Sequence, residues 1–437
     1  MKRYESWGRY PKARHRGVVP LHWRTDDPFR AARPPFLAYG LGRSYGDACL
    51  NDGGVLLDTR GLDRLISLDE EHALLTCEAG VSLGELLDVL VPRGLFLPVV
   101  PGTQHVTVGG AIANDVHGKN HHRAGTFGAH VVELELLRSD GRRVVCSPAR
   151  DPALFAATVG GLGLTGLVLS ATIRLRRLGI GVRSLRSETV PLPALDAFFD
   201  VASASDEQNE FCVAWVDCLA SGAALGRGLL FRGNWSEQPD ARPPRRRRRV
   251  SVPFELPFSP LNRATLSGFN AAYRLGQRAG ARVRPAAFEG FFFPLDAVER
   301  WNRIYGRDGL LQFQCAVPHA GARAAIRELL SVIARAGEGS FLAVLKNFGA
   351  VPSPGLLSFP CEGVTLALDF RNRGERTERL FRELHAVVAA HAGRLYPAKD
   401  AHMSPAQFEA QYRDVLPAFR AQIDPAFSSS LWRRVSA

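Results

Sequence analysis

PGTQHVTVGGAIANDVHGKNHH, residues 101–122, sets the smallest side chains of the chain directly before a dense group of cations: His117, Lys119, His121 and His122. Gly109, Gly110, Ala111 and Ala113 carry almost no side chain, so the backbone there can approach a flat ligand closely. His121 and His122 read as supporting or surface residues. No carboxylate stands at metal-ligand spacing from these histidines, so no metal is expected.

Working outward, three more glycine-rich turns share the same half of the chain: GLGRSYGD (40–47), the PGT that opens the stretch above (101–103) and GGLGLTG (160–166). Gly161-x-Gly163-x-x-Gly166 matches the dinucleotide fingerprint letter by letter, but a helix precedes it and a β-branched strand follows. The fingerprint needs strand first and helix after, which excludes a Rossmann site. Clustered backbone N–H groups unshielded by Cβ atoms instead form anion nests, and several together point to one extended nucleotide cofactor wrapped in main chain.

Between these turns the local signals alternate. GGVLLD (53–58) and Thr76–Ala79 read as strands. Ser82 and Glu85 form a capping box ahead of Leu83, Leu86, Leu87 and Leu90 at helical spacing, with Gly94 beyond. Asp140-Gly141 predicts a hairpin within 131–146. DPALFAATVGG reads as an Asp-capped helix and GLVLSATIRLRRL as a long strand. No βαβ rhythm emerges, so residues 1–178 are predicted to be an α+β domain. From 179 to 393, strands at 211–217, 311–317 and 364–370 alternate with helices such as 320–336. That pattern predicts a second domain, an antiparallel sheet backed by helices.

Bulk composition limits the function classes. The 437 residues are 46% hydrophobic and 22% charged, which is globular composition in a length that calls for two domains. No apolar run is long enough to span a bilayer, and the first residues lack a secretory h-region. Seven cysteines without a CxxC pair fit a reducing compartment. The net charge of +12 is scattered and accompanied by no nucleic-acid-binding motif, so no nucleic-acid partner is expected. Only five of the 55 basic residues are lysines: Lys2, Lys12, Lys119, Lys346 and Lys399. A lysine can lose its proton when buried and acts as a compact point charge, so the last three are candidates for chemistry. Arg245–Arg249 followed by proline-broken apolar sequence (241–260) reads either as a solvated loop or as a flap meeting anionic lipid.

GLGRSYGD, PGTQHVTVGGAIANDVHGKNHH and TVGGLGLTGLV together resemble the vanillyl-alcohol-oxidase family of flavoproteins, with its PCMH-type FAD-binding domain. SWGR (6–9), HGKNHH and YPAKD (396–400) resemble most the branch of that family acting on polyprenyl-phosphate-linked ribose. The resemblance implies a two-domain α+β flavoprotein whose segment 394–437 returns to the FAD domain. It implies FAD held by Gly40, Leu41, Gly42, Arg43, Ser44, Tyr45, Gly46 and Asp47 at the pyrophosphate. Pro101, Gly102, Thr103, Thr107, Gly109, Gly110, Ala113, Asn114, His117, Gly118 and Asn120 would run along it, Gly161 and Gly166 would lie near the adenine, and Lys399 would arrive from the far end of the chain. Relatives with covalent FAD carry His where this chain has Arg43, so non-covalent FAD is expected.

Oxidation of an alcohol at a flavin needs a group for the hydroxyl proton and nearby positive charge. Lys399, His117 and Tyr45 are the expected catalytic residues, and Lys119, Lys346, Gln312 and Gln314 the expected substrate-binding ones. The implied reaction is oxidation of the ribose C2 hydroxyl to the keto sugar. A separate NADH-dependent short-chain reductase would complete epimerisation to the arabinose donor of a cell-envelope polysaccharide. A cytoplasmic enzyme touching the inner membrane through 241–260 follows from the lipid tail. An aldonolactone or alditol oxidase acting on a free sugar is the alternative. Two departures stand out: Ala367 replaces a flavin-facing cysteine of the relatives, with Cys361 six residues earlier an unsuitable substitute, and Phe292 and Phe293 replace more polar residues.

Overall fold

In the computed structural model, residues 4–240, 250–256, 259–277 and 283–436 are described. Arg245–Arg249 and Phe258 lie outside them. The run VLLD forms the middle of a three-stranded parallel sheet, Val55–Asp58 between Gly17–Pro20 and Phe36–Tyr39. All four of its residues are buried, as expected of a strand covered on both faces. A five-stranded antiparallel sheet follows in the order Leu65–Asp69, Leu74–Glu78, Leu167–Arg174, Val131–Leu137, Arg143–Cys146. The Asp140-Gly141 hairpin closes its edge, with Gly141 at φ +84°. Ser82 and Glu85 form their reciprocal capping box on helix Leu83–Leu90, and all four leucines of that helix are buried.

Beyond residue 183 the chain builds an eight-stranded antiparallel sheet. Its order is Arg284–Ala287, Ser184–Leu192, Gly228–Trp235, Phe211–Val216, Ala343–Phe348, Gly363–Arg371, Leu310–Pro318, Arg394–Leu395. Helices Leu195–Gln208, His319–Ala336 and Glu375–Ala390 bury their apolar stripes against this sheet. The fold is thus α+β, with mixed helices and antiparallel sheets.

The period of two along the central strands decides what each face carries. Leu311, Phe313, Cys315 and Val317, with Val364, Leu366, Leu368 and Phe370, point into the helix-covered core. Gln312 and Gln314, with Thr365, Ala367 and Asp369, take the opposite face.

After residues 394 and 395, which still pair with Ala316 and Cys315, the chain leaves this sheet. Phe427 bridges to Phe36, the Phe36 N–H donates to Ala426 O at 2.8 Å, and Arg433 donates to Asn51 Oδ1 at 2.9 Å. Leu431 and Val435 share one continuous core with Ala48, Leu162 and Leu164 from the first half and with the helices of the second.

Candidate active site

The uncovered face of the large sheet and the glycine turns of the first half enclose a cavity of about 1730 Å³. Its amide-rich end is built by close backbone contacts. A Cβ on Gly40 would lie 2.4 Å from Thr107 Oγ1, so the first turn packs directly on the start of helix Val108–Ala113. Gly42 sits at φ +61°, and a Cβ there would lie 2.6 Å from Glu5 O. Both positions exclude any larger residue. Thr107 Oγ1 accepts from Gly110 N at 3.1 Å, and Gly109 packs its α-carbon on Ala79.

Gly40 to Tyr45, Pro101 to Thr103, Thr107, Gly109, Gly110, Ala113, Asn114, His117, Gly118 and Gly166 all line the cavity. Gly46, Asp47, Asn120 and Gly161 do not. Gly46 is pressed against Asp400 O, Asp47 is turned to Arg434, Asn120 donates to Pro98 O at 2.9 Å, and Gly161 packs under Ala157 O. A cavity of this size, lined both by glycine-rich main chain and by buried cations, fits a diphosphate-bearing planar cofactor, as FAD is.

Three lysines converge on this cavity. Lys346, on strand Ala343–Phe348, donates to Gly118 O at 2.6 Å and lies 2.9 Å from His117 Nδ1. The Gln314 amide lies 3.1 Å from His117 Nε2. The same amide nitrogen donates to Thr365 Oγ1 at 3.3 Å. Burial, then Lys346, His121 and Lys399, push the His117 pKa far down, so the ring is neutral. Lys119 bonds Phe291 O and sits 4.9 Å over the Phe291 ring. Lys399 lies 4.1 Å over the Tyr45 ring. Burial lowers Lys119 and Lys346 to about 7 and Lys399 to about 8, the last partly restored by Asp369. Three desolvated ammonium groups around one space make a strong electrostatic demand for an anion.

Asp369 was not among the residues singled out from sequence. It is fully buried, accepts from Gln312 Nε2 at 2.6 Å, and leaves Oδ2 without a hydrogen bond. Burial raises its carboxyl to about 7. Its signal was an acid at an alternate position of an otherwise apolar strand. Tyr396 was missed as well. Its hydroxyl donates to Asn114 O at 2.8 Å and its ring stacks on Phe359 at 4.6 Å, so it braces the turn carrying His117. Asp115 performs a similar task by accepting from Gly128 N and Ser358 Oγ, at 2.8 and 2.5 Å.

Ala367 lines the cavity beside Gln314, its register partner. Cys361 packs instead with Phe359 and Tyr396 and does not line the cavity. Phe292 and Phe293 are buried; Phe292 lies in an aromatic group with Phe96, Phe211 and Trp235. Over the cavity mouth, helix Arg263–Gly276 turns Leu266, Phe269 and Tyr273 inward, and Tyr273 meets Trp215 at 4.9 Å. Val250, Phe254, Leu275 and Val283 in the same region are exposed, Leu275 by 71%. No helix among the described residues is long and apolar enough to cross a membrane.

Residues 28–147 match a family model described as an FAD binding domain. The decaprenylphosphoryl-β-D-ribose oxidase of Mycolicibacterium smegmatis is 37% identical over 417 residues, covering 91% of this chain and 88% of that protein. An uncharacterised protein of Streptomyces coelicolor, encoded in the 5′ region of mprA, is 36% identical over 375 residues, 81% of this chain and 100% of that one. An L-gulono-1,4-lactone dehydrogenase of Mycobacterium tuberculosis is 25% identical over 404 residues, 91% and 89% respectively.

Proposed function

Since the chain belongs to the FAD-linked oxidoreductase family that includes decaprenylphosphoryl-β-D-ribose oxidase, and is an FAD-dependent oxidoreductase, we propose that it oxidises the C2 hydroxyl of a polyprenyl-phosphate-linked ribose to the keto sugar. The observation that carries this reading is the convergence of Lys119, Lys346 and Lys399 on one cavity that has an apolar, partly exposed mouth. A phosphodiester answers the two lysines at about 7, and a lipid tail answers Leu266, Phe269 and Tyr273. A free aldonolactone carries no charge for Lys119 and Lys346 to meet.

FAD, when bound, supplies the acceptor for the hydride leaving the carbinol carbon. Gly40 to Tyr45, Thr107 to Gly110 and Asn114 would hold it. Gln312 and Gln314 are available to hydrogen-bond the sugar hydroxyls. Lys399, on the cavity wall beside Tyr45, is the group that takes or stabilises the hydroxyl proton. His117, neutral and gripped by Lys346, orients that end of the site. Asp369 favours the protonated form of Lys399, against the effect of burial.

The 2-keto product calls for a separate NADH-dependent reductase to complete an epimerisation serving arabinan biosynthesis. The exposed apolar side chains Val250, Phe254, Leu275 and Val283, with the five consecutive arginines 245–249 of the sequence, support peripheral contact with a membrane on its cytoplasmic side. Anaerobic titration with polyprenyl-phosphoryl ribose tests the reaction: the flavin absorbance bleaches with one equivalent of substrate. Bleaching by free aldonolactones but not by the lipid-linked sugar overturns it.

FAD attachment is non-covalent in this reading. Arg43 occupies the position of the linking histidine and lies 4.3 Å over the Trp7 ring. Acid precipitation is expected to leave the yellow colour in the supernatant; colour retained in the pellet refutes this.

Substrate affinity should also fall with rising pH. Lys119 and Lys346 lose their charge above about 7, so KM for the phosphate-bearing sugar rises between pH 7 and 9. The same groups titrate near 10.4 when unfolded, so the unfolded chain binds more protons in that window. Stability of the ligand-free protein therefore increases with pH there. A flat KM across this range would show that the two lysines do not bind the substrate anion.

A further inference from the structure

His122, Asp206 and Cys212 come together behind the Lys119 wall, from three separate elements: the turn His121–Ala124, the last turn of helix Leu195–Gln208 and strand Phe211–Val216. One candidate ligand atom from each lies within 4.8 Å of the other two. The cluster is sheltered, with the His122 and Asp206 side chains 8% and 14% exposed and Cys212 buried.

The hydrogen bonds around it assign the free lone pairs. His122 Nε2 lies 3.0 Å from the carbonyl of Asn209, which can only accept, so Nε2 carries the proton. Nδ1 then presents its lone pair to Asp206 Oδ1 at 3.7 Å, too far for a direct hydrogen bond. The other carboxylate oxygen, Oδ2, is already engaged by Asn347 Nδ2 at 2.7 Å. Neighbouring cations are turned elsewhere: Arg123 bonds the main-chain carbonyls of Asp206 and Glu207, and Arg232 bonds Glu188 and Ser205. The Cys212 thiol is hydrogen-bonded to the Asp206 carboxylate, so imidazole nitrogen, carboxylate and sulfur lie within 4.8 Å of one another, with one thiol proton for a metal to displace. The backbone carbonyl that orients the imidazole and the asparagine that orients the carboxylate are the outer contacts a metal site uses to aim its ligands.

The geometry points to a zinc site formed by His122 Nδ1, Asp206 Oδ1 and Cys212 Sγ, with water in the fourth position. Imidazole, carboxylate and thiolate are the donors zinc accepts in tetrahedral array. Bonds of about 2.0–2.3 Å place tetrahedral ligands about 3.3–3.8 Å apart, so the cluster closes by roughly 1 Å when the ion enters. The Cys212 thiol loses its proton to solvent on binding. The ion ties the HGKNHH segment to the second half of the molecule. Cys212 N already donates to Lys119 O at 3.0 Å, so the ion rigidifies the turn from which Lys119 reaches the cavity. It is a clamp outside the cavity and takes no part in the redox step.

The test uses the FAD-loaded full chain, stripped of metal by a chelator and titrated with Zn²⁺ against a chromogenic competitor. One zinc per chain is expected. C212S and H122Q each weaken binding by at least about 100-fold, beyond the 10–100-fold that loss of an outer contact causes. C361S, at a cysteine remote from the cluster, leaves binding unchanged. A wild-type stoichiometry well below one overturns the site even if a variant fails to fold. So does zinc affinity that survives C212S.

Discussion

Lys399→Met is expected to slow flavin bleaching by substrate by about 10²–10³-fold, the scale on which single charged contacts to a reacting centre are measured, while the protein remains yellow. Lys399 touches the turn 40–47 only through the Tyr45 ring, while the backbone amides of that turn are independent of its ammonium, so FAD retention separates loss of chemistry from loss of cofactor. Methionine matches the length of the lysine stem and removes only the charge. Because burial lowers the Lys399 pKa to about 8, the ammonium is costly in the folded state, and the variant should be no less stable than wild type. Only the neutral amine can take the hydroxyl proton, so wild-type bleaching should rise as pH rises through about 8. Lys399→Arg restores charge without a compact, titratable ammonium and should rescue poorly. A Lys399→Met protein that bleaches at the wild-type rate would falsify the assignment of this residue to the reacting centre.

Arg434→Met should lower folding stability by about 3 kcal/mol or more, the usual result of stranding one partner of a buried ion pair. Asp47 is buried and its carboxylate takes two bonds from the Arg434 guanidinium, at 2.8 and 2.7 Å. Arg434 also reaches Met403 O, which ties down the segment following Lys399. Arg434 itself keeps a quarter of its side chain in water, so the penalty falls mainly on Asp47. The double change Asp47→Asn with Arg434→Met removes the stranded charge and should recover part of the loss. Chemical denaturation of the three proteins reads this directly. Equal stability of wild type and Arg434→Met would mean that Asp47 finds solvent or another partner, contrary to its burial.

The placement of Asp47 could not be read from the letters around it. GLGRSYGD reads as one cofactor turn, and Gly40 to Tyr45 do face the cavity. The chain reverses at Gly46, whose α-carbon packs on Asp400, and the next side chain points away toward a partner 387 residues distant. A run of letters cannot show that reversal. The capping box, the hairpin and the alternating strands were legible because each depends on neighbours within a few residues. The face of strand Leu310–Pro318 was legible too, since Gln312 and Gln314 interrupt an apolar run at period two. Asp369 obeys the same rule on the adjacent strand. It was passed over because its significance depends on Gln312 and Lys399 lying across the sheet from it. The three-residue cluster of His122, Asp206 and Cys212 has no spacing signature, since its members meet only after the sheet and helix have packed.

The core that joins Ala48 and Leu162 to Leu431 and Val435 has a consequence for biosynthesis. A nascent chain on the ribosome cannot seal its interior until synthesis has passed Val435, so maturation must be completed after translation of the whole segment. A message truncated anywhere before that codon yields a polypeptide with exposed apolar surface, a substrate for chaperones and proteases rather than a partly working enzyme.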